Sequence, residues 1–258
     1  MNEKCSRLWD TKNKDDEWWS SFVTAPLAIL FSYAVVDIKW LTPNLITFLS
    51  FLTAVFSASF IVAGGSTNFL IAALLIHLSH VFDCMDGQIA RYRKTSSASG
   101  SYFDRVTDQV QVIIWFGAVG YAAYLQVGTV LPVFLALIGV AFYSLRGYVK
   151  YVAIHVEMSR DQSYLEKITQ SVQVSKKPVV AGPGFGFLVN LRWFLSEQRK
   201  ILRFDEGVFI FMLSLSLVLD QLIPMLWVFA FSQVFYGIFR VFQHAQKIDR
   251  NEKSLIEK

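Results

Sequence analysis

Residues 83–108 read DCMDGQIARYRKTSSASGSYFDRVTD, and the four aspartates in that stretch, Asp83, Asp86, Asp104 and Asp108, decide how the rest of the chain is read. They lie at the facing ends of two long apolar segments. Burying a charge in hydrocarbon costs several kcal/mol, so acids in such places point to function. On the first segment Asp83, Asp86, Gly87, Ala90 and Arg91 fall at offsets 0, 3, 4, 7 and 8, which is one face of an α-helix. On the second, Gly100, Asp104 and Asp108 are spaced by fours, again a single stripe. A short link joins the segments, so the two helices are expected to be antiparallel neighbours with their stripes facing each other.

Outward from this stretch the chain is apolar. Of its 258 residues 54% are hydrophobic and only 17% charged, with a mean hydropathy of +0.42. Soluble domains hold roughly 45–50% apolar and about 25% charged residues, so this composition asks for lipid. A transmembrane helix needs about 20 mostly apolar residues. Six stretches qualify, at 44–63, 69–90, 102–124, 130–151, 207–222 and 225–242. The expected fold is an all-α integral membrane protein, a six-transmembrane-helix bundle with an N-terminal interfacial helix. Asp220, Gln221 and Pro224 divide the last two spans, a tight turn that the proline would enforce.

The interfacial helix is read from residues 18–40, which are apolar but broken by Pro26 and Asp37, with Trp18, Trp19 and Trp40 suited to headgroup depth. A short extra span is the alternative there, and it would invert the topology. The N-terminus is polar through Trp18 and has no signal-peptide core or cleavage site, so it is expected to be retained. Three parts follow. Residues 1–41 form a cytoplasmic N-terminus with the interfacial amphipathic helix. Residues 42–246 form the membrane domain, with a polar cytoplasmic insertion at about 155–204, and 247–258 form a cytoplasmic tail. The insertion carries the run 175–177 and a Gly/Pro-rich turn at 181–186, and reads as a hairpin or helix–loop–helix. Residues 192–203 read as a surface helix with Trp193 and Phe194 at the lipid boundary.

The net charge of +4 reflects orientation rather than nucleic-acid binding, because no basic, aromatic-interleaved stretch stands clear of the apolar segments. The loops at 64–68, 126–129 and 220–224 contain no Lys or Arg. Arg91, Arg93 and Lys94, the cations between Arg146 and Arg203, and those from Arg240 to Lys258 all fall on the other side. That asymmetry puts both termini and the aspartate end in the cytoplasm. Cys5 and Cys84 provide neither a disulfide framework nor a cysteine metal motif.

Four crowded carboxylates repel unless a cation lies among them, and oxygen-only ligands select Mg²⁺ or Mn²⁺ rather than zinc. Arg91, one turn beyond Asp86, is placed to hold a phosphate oxygen. Gly87 and Gly100 remove side chains where a ligand must approach the backbone. Together these residues suit phosphoryl chemistry on a pyrophosphate. Solvated helix-end acids or small packing residues would explain any one of these positions, but not eight of them in register.

The pattern D-x-x-D-G-x-x-A-R, eight residues, G-x-x-x-D-x-x-x-D resembles the signature of the CDP-alcohol phosphotransferase (CDP-alcohol phosphatidyltransferase) family at every fixed position and gap. Thr42-Pro43-Asn44, followed by Ile46 and Thr47, matches the family's approach to its first core helix. The motif covers 26 residues, and the span layout extends the resemblance over most of 42–242. Residues before Trp18 and the insertion lie outside it. The resemblance implies a two-metal site with Asp83, Asp86 and Asp104 as ligands and Asp108 sharing it. It places the CDP group against Gly87, Ala90 and Gly100 with Arg91 at the phosphates. Asp108 is the implied general base, drawing the proton from an acceptor hydroxyl that attacks phosphorus as CMP leaves. A homodimer packed through membrane helices is implied as well.

Other residues have two readings each. Arg146 and Lys150, one turn apart, suit either an anionic acceptor or donor phosphate, or simple anchoring. Asn44 suits donor phosphates, or more cheaply an N-cap. Arg192, Arg199 and Arg203 read as headgroup contacts. Arg105 and Cys84 point off the aspartate faces. His77 and His80 lie one turn apart and near Asp83, and suit either a supporting role or ordinary burial. The leading function is phosphatidyl transfer from CDP-diacylglycerol to a small polar alcohol in phospholipid biosynthesis. The alternative donor is CDP-linked choline, ethanolamine or inositol, and the polar start at 12–19 loosely resembles members using inositol phosphates. A divalent-cation transporter is the remote third, since it would have no use for Arg91 and the glycines and no inverted repeat is visible.

Overall fold

Thr42 begins the bundle proper. Its hydroxyl accepts from the Leu45 N–H at 3.3 Å and caps a helix with proline in its first turn, so Thr42, not Asn44, is the N-cap. The computed structural model describes residues 3–13, 17–174, 187–198 and 200–256. The run 175–177, the turn 181–186 and Arg199 therefore lie outside the described residues. Among those described the chain is helical without strands. The helices are α1 (Glu3–Trp9), α2 (Ala25–Val35), α3 (Pro43–Ala63), α4 (Ser66–Arg93), α5 (Ala98–Val127), α6 (Leu131–Arg160), α7 (Tyr164–Val174), α8 (Phe187–Gln198), α9 (Glu206–Val218) and α10 (Leu222–Ile256).

Five helices, α3, α4, α5, α6 and α10, are long and apolar enough to cross a membrane. The stretch expected as the fifth span forms α9, which has 13 residues. At 1.5 Å per residue it measures about 20 Å, short of the roughly 30 Å hydrocarbon core. The turn before α10 is made by Asp220 in the left-handed region (φ 52°), and Pro224 falls inside the first turn of α10 rather than in the bend. α10 continues unbroken past residue 246, so the expected tail prolongs this helix.

α4 is the hub, packing against α3, α9 and α2, while α5 lies against α3 and α6, and α10 against α6. Small residues permit the close approach: Ala54, Ala58, Ala72 and Ala73 are all buried between α3 and α4. Phe116 and Phe229 stack with centroids 3.7 Å apart at the centre of the main core. Serines bridge α3 to α4, with the Ser50 hydroxyl donating to Ser79 O at 2.9 Å.

The segment read as an interfacial helix forms a π-helical turn (Ser20–Thr24) and then α2, with Pro26 in the first turn of α2. It docks on α4 instead of standing clear: Gln88 Nε2 donates to Ala25 O at 3.2 Å and Ser32 Oγ donates to Gln88 Oε1 at 3.2 Å. Trp18 meets Phe194 and Phe211 edge-on at 5.2 and 5.3 Å. The expected lipid-boundary residue Trp193 meets Phe22. Arg93, at the end of α4, donates to the carbonyls of Val36, Ile38 and Leu41 and so fixes the link into α3.

Arg93→Ala removes the donor from the Val36 and Leu41 carbonyls and one of two from Ile38 O, and is expected to destabilise the protein by on the order of 2–3 kcal/mol, seen as a lower midpoint of thermal unfolding in detergent. Arg93→Lys, which lacks the planar fork, is expected to recover only part of the loss.

Candidate active site

α4 ends at Lys94, which adopts the left-handed conformation (φ 57°), and α5 begins after the N-cap Ser97, whose hydroxyl accepts from Gly100 N–H at 3.0 Å. This tight reversal sets the last third of α4 against the first third of α5. Oxygens of Asp83, Asp104 and Asp108 there lie within 4.8 Å of one another. Asp83 Oδ1 is enclosed and has no hydrogen-bond partner. Among the described residues no lysine or arginine forms an ion pair with any of the three. Carboxylates brought this close together are costly unless a cation lies among them. An all-oxygen donor set with an orphaned carboxylate oxygen fits Mg²⁺ or Mn²⁺.

Asp86 stands slightly apart. It is buried, accepts a hydrogen bond from Thr47 Oγ1, and borders a cavity of about 340 Å³ together with Asn44, Gly87, Ala90, Arg91 and Gly100. Every residue expected to meet the CDP group therefore lines one cavity, and Asp104 stands at its edge. The glycines admit neighbours already present. A Cβ on Gly87 would lie 3.0 Å from Arg91 Nη1, and one on Gly100 would lie 3.1 Å from Asn44 Oδ1. Arg91 Nε donates to the backbone oxygen of Thr11 at 2.7 Å, which ties the N-terminal segment to the cavity.

On the other side of the aspartates is a second cavity of about 160 Å³, bordered by Asp83, Asp108, His80, Gln111 and Glu206. Arg105, expected off the aspartate stripe, also borders it, because its long side chain reaches around the helix to donate to Tyr151 Oη at 3.3 Å. Cys84 packs with the smaller core cluster, as its helix face requires. His77 lies against the Trp19 ring.

Gln109 and Tyr143 border both this cavity and a third of about 500 Å³, whose other walls include Arg146, Lys150, Arg240 and His244. Arg146 is held firmly: it donates to Arg203 O and to Gln233 Oε1 and lies 3.4 Å from Asp205. Lys150 lines the open space. Arg192 is exposed on α8.

Sequence reasoning missed Glu206, Gln111, Arg240 and His244 as members of these walls. Glu206 looks like an ordinary acid in a first helical turn, and Arg240 and His244 look like orientation cations. Only Gln111, three residues after Asp108, carried a usable signal: a polar side chain deep in an apolar run on nearly the same face.

A family model described as CDP-alcohol phosphatidyltransferase matches residues 40–197. Cholinephosphotransferase 1 of Xenopus laevis is 28% identical over 118 residues, which cover 42% of this chain and 29% of that protein. The chain thus spans under a third of that relative's length.

Asp104→Asn removes one charge from the three-carboxylate corner and is expected to weaken Mn²⁺ binding by at least about tenfold, or 1.4 kcal/mol. Titrating free Mn²⁺ in the presence of the detergent-solubilised protein measures this.

Proposed function

Because this chain belongs to the CDP-alcohol phosphatidyltransferase family, we propose that it moves a phosphatidyl group from CDP-diacylglycerol to the hydroxyl of a small polar alcohol, releasing CMP, in phospholipid biosynthesis. The chain is an integral membrane transferase of phosphate-containing groups. The observation that carries the finer reading is the position of the aspartate corner between two cavities, one lined by Gly87, Ala90, Arg91 and Gly100 and the other sharing Gln109 and Tyr143 with a cation-lined cavity.

In this reading the CDP pyrophosphate lies along Gly87, Ala90 and Gly100, with Arg91 donating to it. Asn44 is a second candidate contact there. Asp83, Asp86, Asp104 and Asp108 hold two divalent ions, Mg²⁺ or Mn²⁺, which when bound offset charge on the phosphoryl oxygens and on departing CMP. Asp108, on the wall facing the second cavity, takes the proton of the acceptor hydroxyl. The acceptor oxygen bonds to the phosphorus next to the lipid portion, the bond from that phosphorus to the CMP oxygen breaks, and CMP leaves with the electron pair.

The basic cavity supports an anionic acceptor. Lys150, Arg240 and the anchored Arg146 gather positive charge one cavity away from Asp108, connected through Gln109 and Tyr143. A neutral diacylglycerol acceptor would gain nothing from it. The second reading, a CDP-choline type donor with a lipid acceptor, is favoured by the likeness to cholinephosphotransferase.

The topology we propose has α9 as the sixth membrane element. Its start lies by Arg146, at the cation-rich end, and the turn after it is tied to the end of α5, where Gln126 Nε2 donates to Asp220 Oδ1 at 2.7 Å. α9 thus connects the two ends despite its length. The cation-rich end, the active site and both termini are assigned to the cytoplasm. The domain reading keeps 42–246 as the membrane domain with its insertion at about 155–204, and the assembly is a homodimer.

Purified protein given CDP-diacylglycerol, Mn²⁺ or Mg²⁺ and a panel of glycerol 3-phosphate, serine, inositol, inositol phosphate and choline is expected to release CMP, fastest with a phosphate-bearing acceptor. CMP release only from CDP-choline with diacylglycerol would overturn the donor assignment. Asp108→Asn is expected to lower turnover by roughly 10²–10⁴-fold while CDP binding persists, and near-normal rates would remove it as the base. Lys150→Gln is expected to raise the acceptor KM about tenfold, the effect of losing one charge-assisted hydrogen bond, with kcat little changed.

A further inference from the structure

The second cavity contains a group of ligands that the aspartate motif does not supply. His80 is 4% exposed, and its Nδ1 lies 3.5 Å from Glu206 Oε1 and 4.0 Å from Asp83 Oδ2. One ligand atom from each of these three residues falls within 4.8 Å of the others. We propose that His80, Asp83 and Glu206 form a divalent-cation site of mixed nitrogen and oxygen ligands, beside the all-carboxylate corner and sharing Asp83 with it.

The hydrogen bonds behind His80 decide which ring nitrogen faces the acids. Ser20 Oγ donates its single proton to Glu17 Oε1 at 2.5 Å, so toward His80 Nε2, 2.9 Å away, it acts only as an acceptor. Nε2 therefore carries the proton, and Nδ1 is turned to Asp83 and Glu206. A histidine whose far N–H is fixed through a hydroxyl to a carboxylate has the outer support typical of a metal ligand. The same Glu17 Oε1 accepts from the backbone N–H of Gly207, the residue after Glu206. One carboxylate thus orients both ligands that lie outside the motif. The approach is so close that a Cβ on residue 207 would lie 3.0 Å from Ser20 N, and glycine leaves the room.

Independent observations point to a ligand in this space. Gln111 is 5% exposed and lines the cavity, yet its Nε2 has no hydrogen-bond partner. Ser79 Oγ meets its Oε1 at 3.2 Å. Whichever way the amide is turned, one of its two polar atoms meets Ser79 and the other is left over. An ion that keeps a water molecule would supply that partner. Asp83 Oδ1 is likewise buried and unpaired. Two carboxylates alone would suit Mg²⁺, but an imidazole nitrogen shifts preference toward first-row transition ions, so the site is expected to take Mn²⁺ ahead of Mg²⁺.

This inference adds histidine and Glu206 to a metal centre that the proposed function assigns to aspartates, and its test needs no turnover. Full-length protein in nanodiscs, loaded with Mn²⁺, is examined by electron spin-echo envelope modulation, which detects a coordinated imidazole through its ¹⁴N coupling. Wild-type protein is expected to give that coupling. His80→Gln is expected to lose it while still binding Mn²⁺ at the carboxylates. Glu206→Gln, at a half-exposed position that tolerates the change, is expected to need about tenfold more Mn²⁺ to develop the coupling. Glu17→Gln, an outer-support change, is expected to cost about 10–100-fold in affinity. Absence of the coupling at saturating Mn²⁺, as for an imidazolium merely paired with the acids, overturns the proposal. So does coupling that survives His80→Gln. If that variant does not fold, unchanged Mn²⁺ affinity in Glu206→Gln overturns it instead. A protein with nitrogen coupling but no CMP release would retain this site and lose the proposed reaction.

Discussion

The constraint on which the rest of the molecule depends is the crowding of partly buried carboxylates. Asp83, Asp104 and Asp108 converge, and Glu206 lies against Asp83 through the same cavity. At 4 Å and an effective dielectric near 20, two like charges repel by about 4 kcal/mol. Such an arrangement persists only if the backbone holds it and counter-charge is available. The α4–α5 reversal, the alanine-lined contact of α3 with α4, and the serine pair Ser50 and Ser79 supply the holding. The proposed ions would supply the charge. The helices far from the aspartates can therefore be plain: their role is to keep two acidic stripes facing each other.

In the proposed reaction the same geometry divides the reactants. A shallow pocket of glycines, an alanine and Arg91 on one side of Asp104 suits a flat nucleotide and its phosphates, while the space beyond Asp108 leads through Gln109 and Tyr143 to the cations of α6 and α10. An attacking oxygen and a leaving CMP need opposite faces of one phosphorus, so two cavities meeting at a metal-binding corner suit an in-line displacement better than a single pocket would. In the proposed reaction Asp108 acts on the acceptor's side of the corner, whereas Asp86, held by Thr47, faces the nucleotide.

Much of this was legible in the residues. Helical spacing placed the aspartates in two facing stripes, and the apolar runs located α3, α4 and α5 within a few residues, while α6 and α10 run well past the ends of their apolar stretches. The boundary errors have physical causes. α9 is shorter than its apolar stretch because Asp220, not Pro224, takes the left-handed turn, and Asn44 was a poorer cap than Thr42, whose side chain precedes the proline. The acidic site was legible only where its members share one helix. Glu206 lies about 120 residues downstream of Asp83, and nothing local in its surroundings distinguishes it from a dipole-stabilising acid in a first turn. The same holds for Arg240 and His244, whose charges serve orientation equally well.

The N-terminal segment makes contacts that the sequence does not announce. Composition and its three tryptophans suggested a helix resting at the membrane surface, and the family resemblance does not reach residues before Trp18. Yet Thr11 offers its carbonyl to Arg91, Glu17 fixes the start of α9, and Ser20 fixes His80. Each contact is made by a residue with no motif of its own, through a backbone carbonyl, a carboxylate or a single hydroxyl. Such contacts depend on where the chain lies rather than on what it spells, so they leave no sequence signal. They also reach both cavities: the Thr11 carbonyl meets Arg91 at one, while Glu17 and Ser20 hold Gly207 and His80 beside the other.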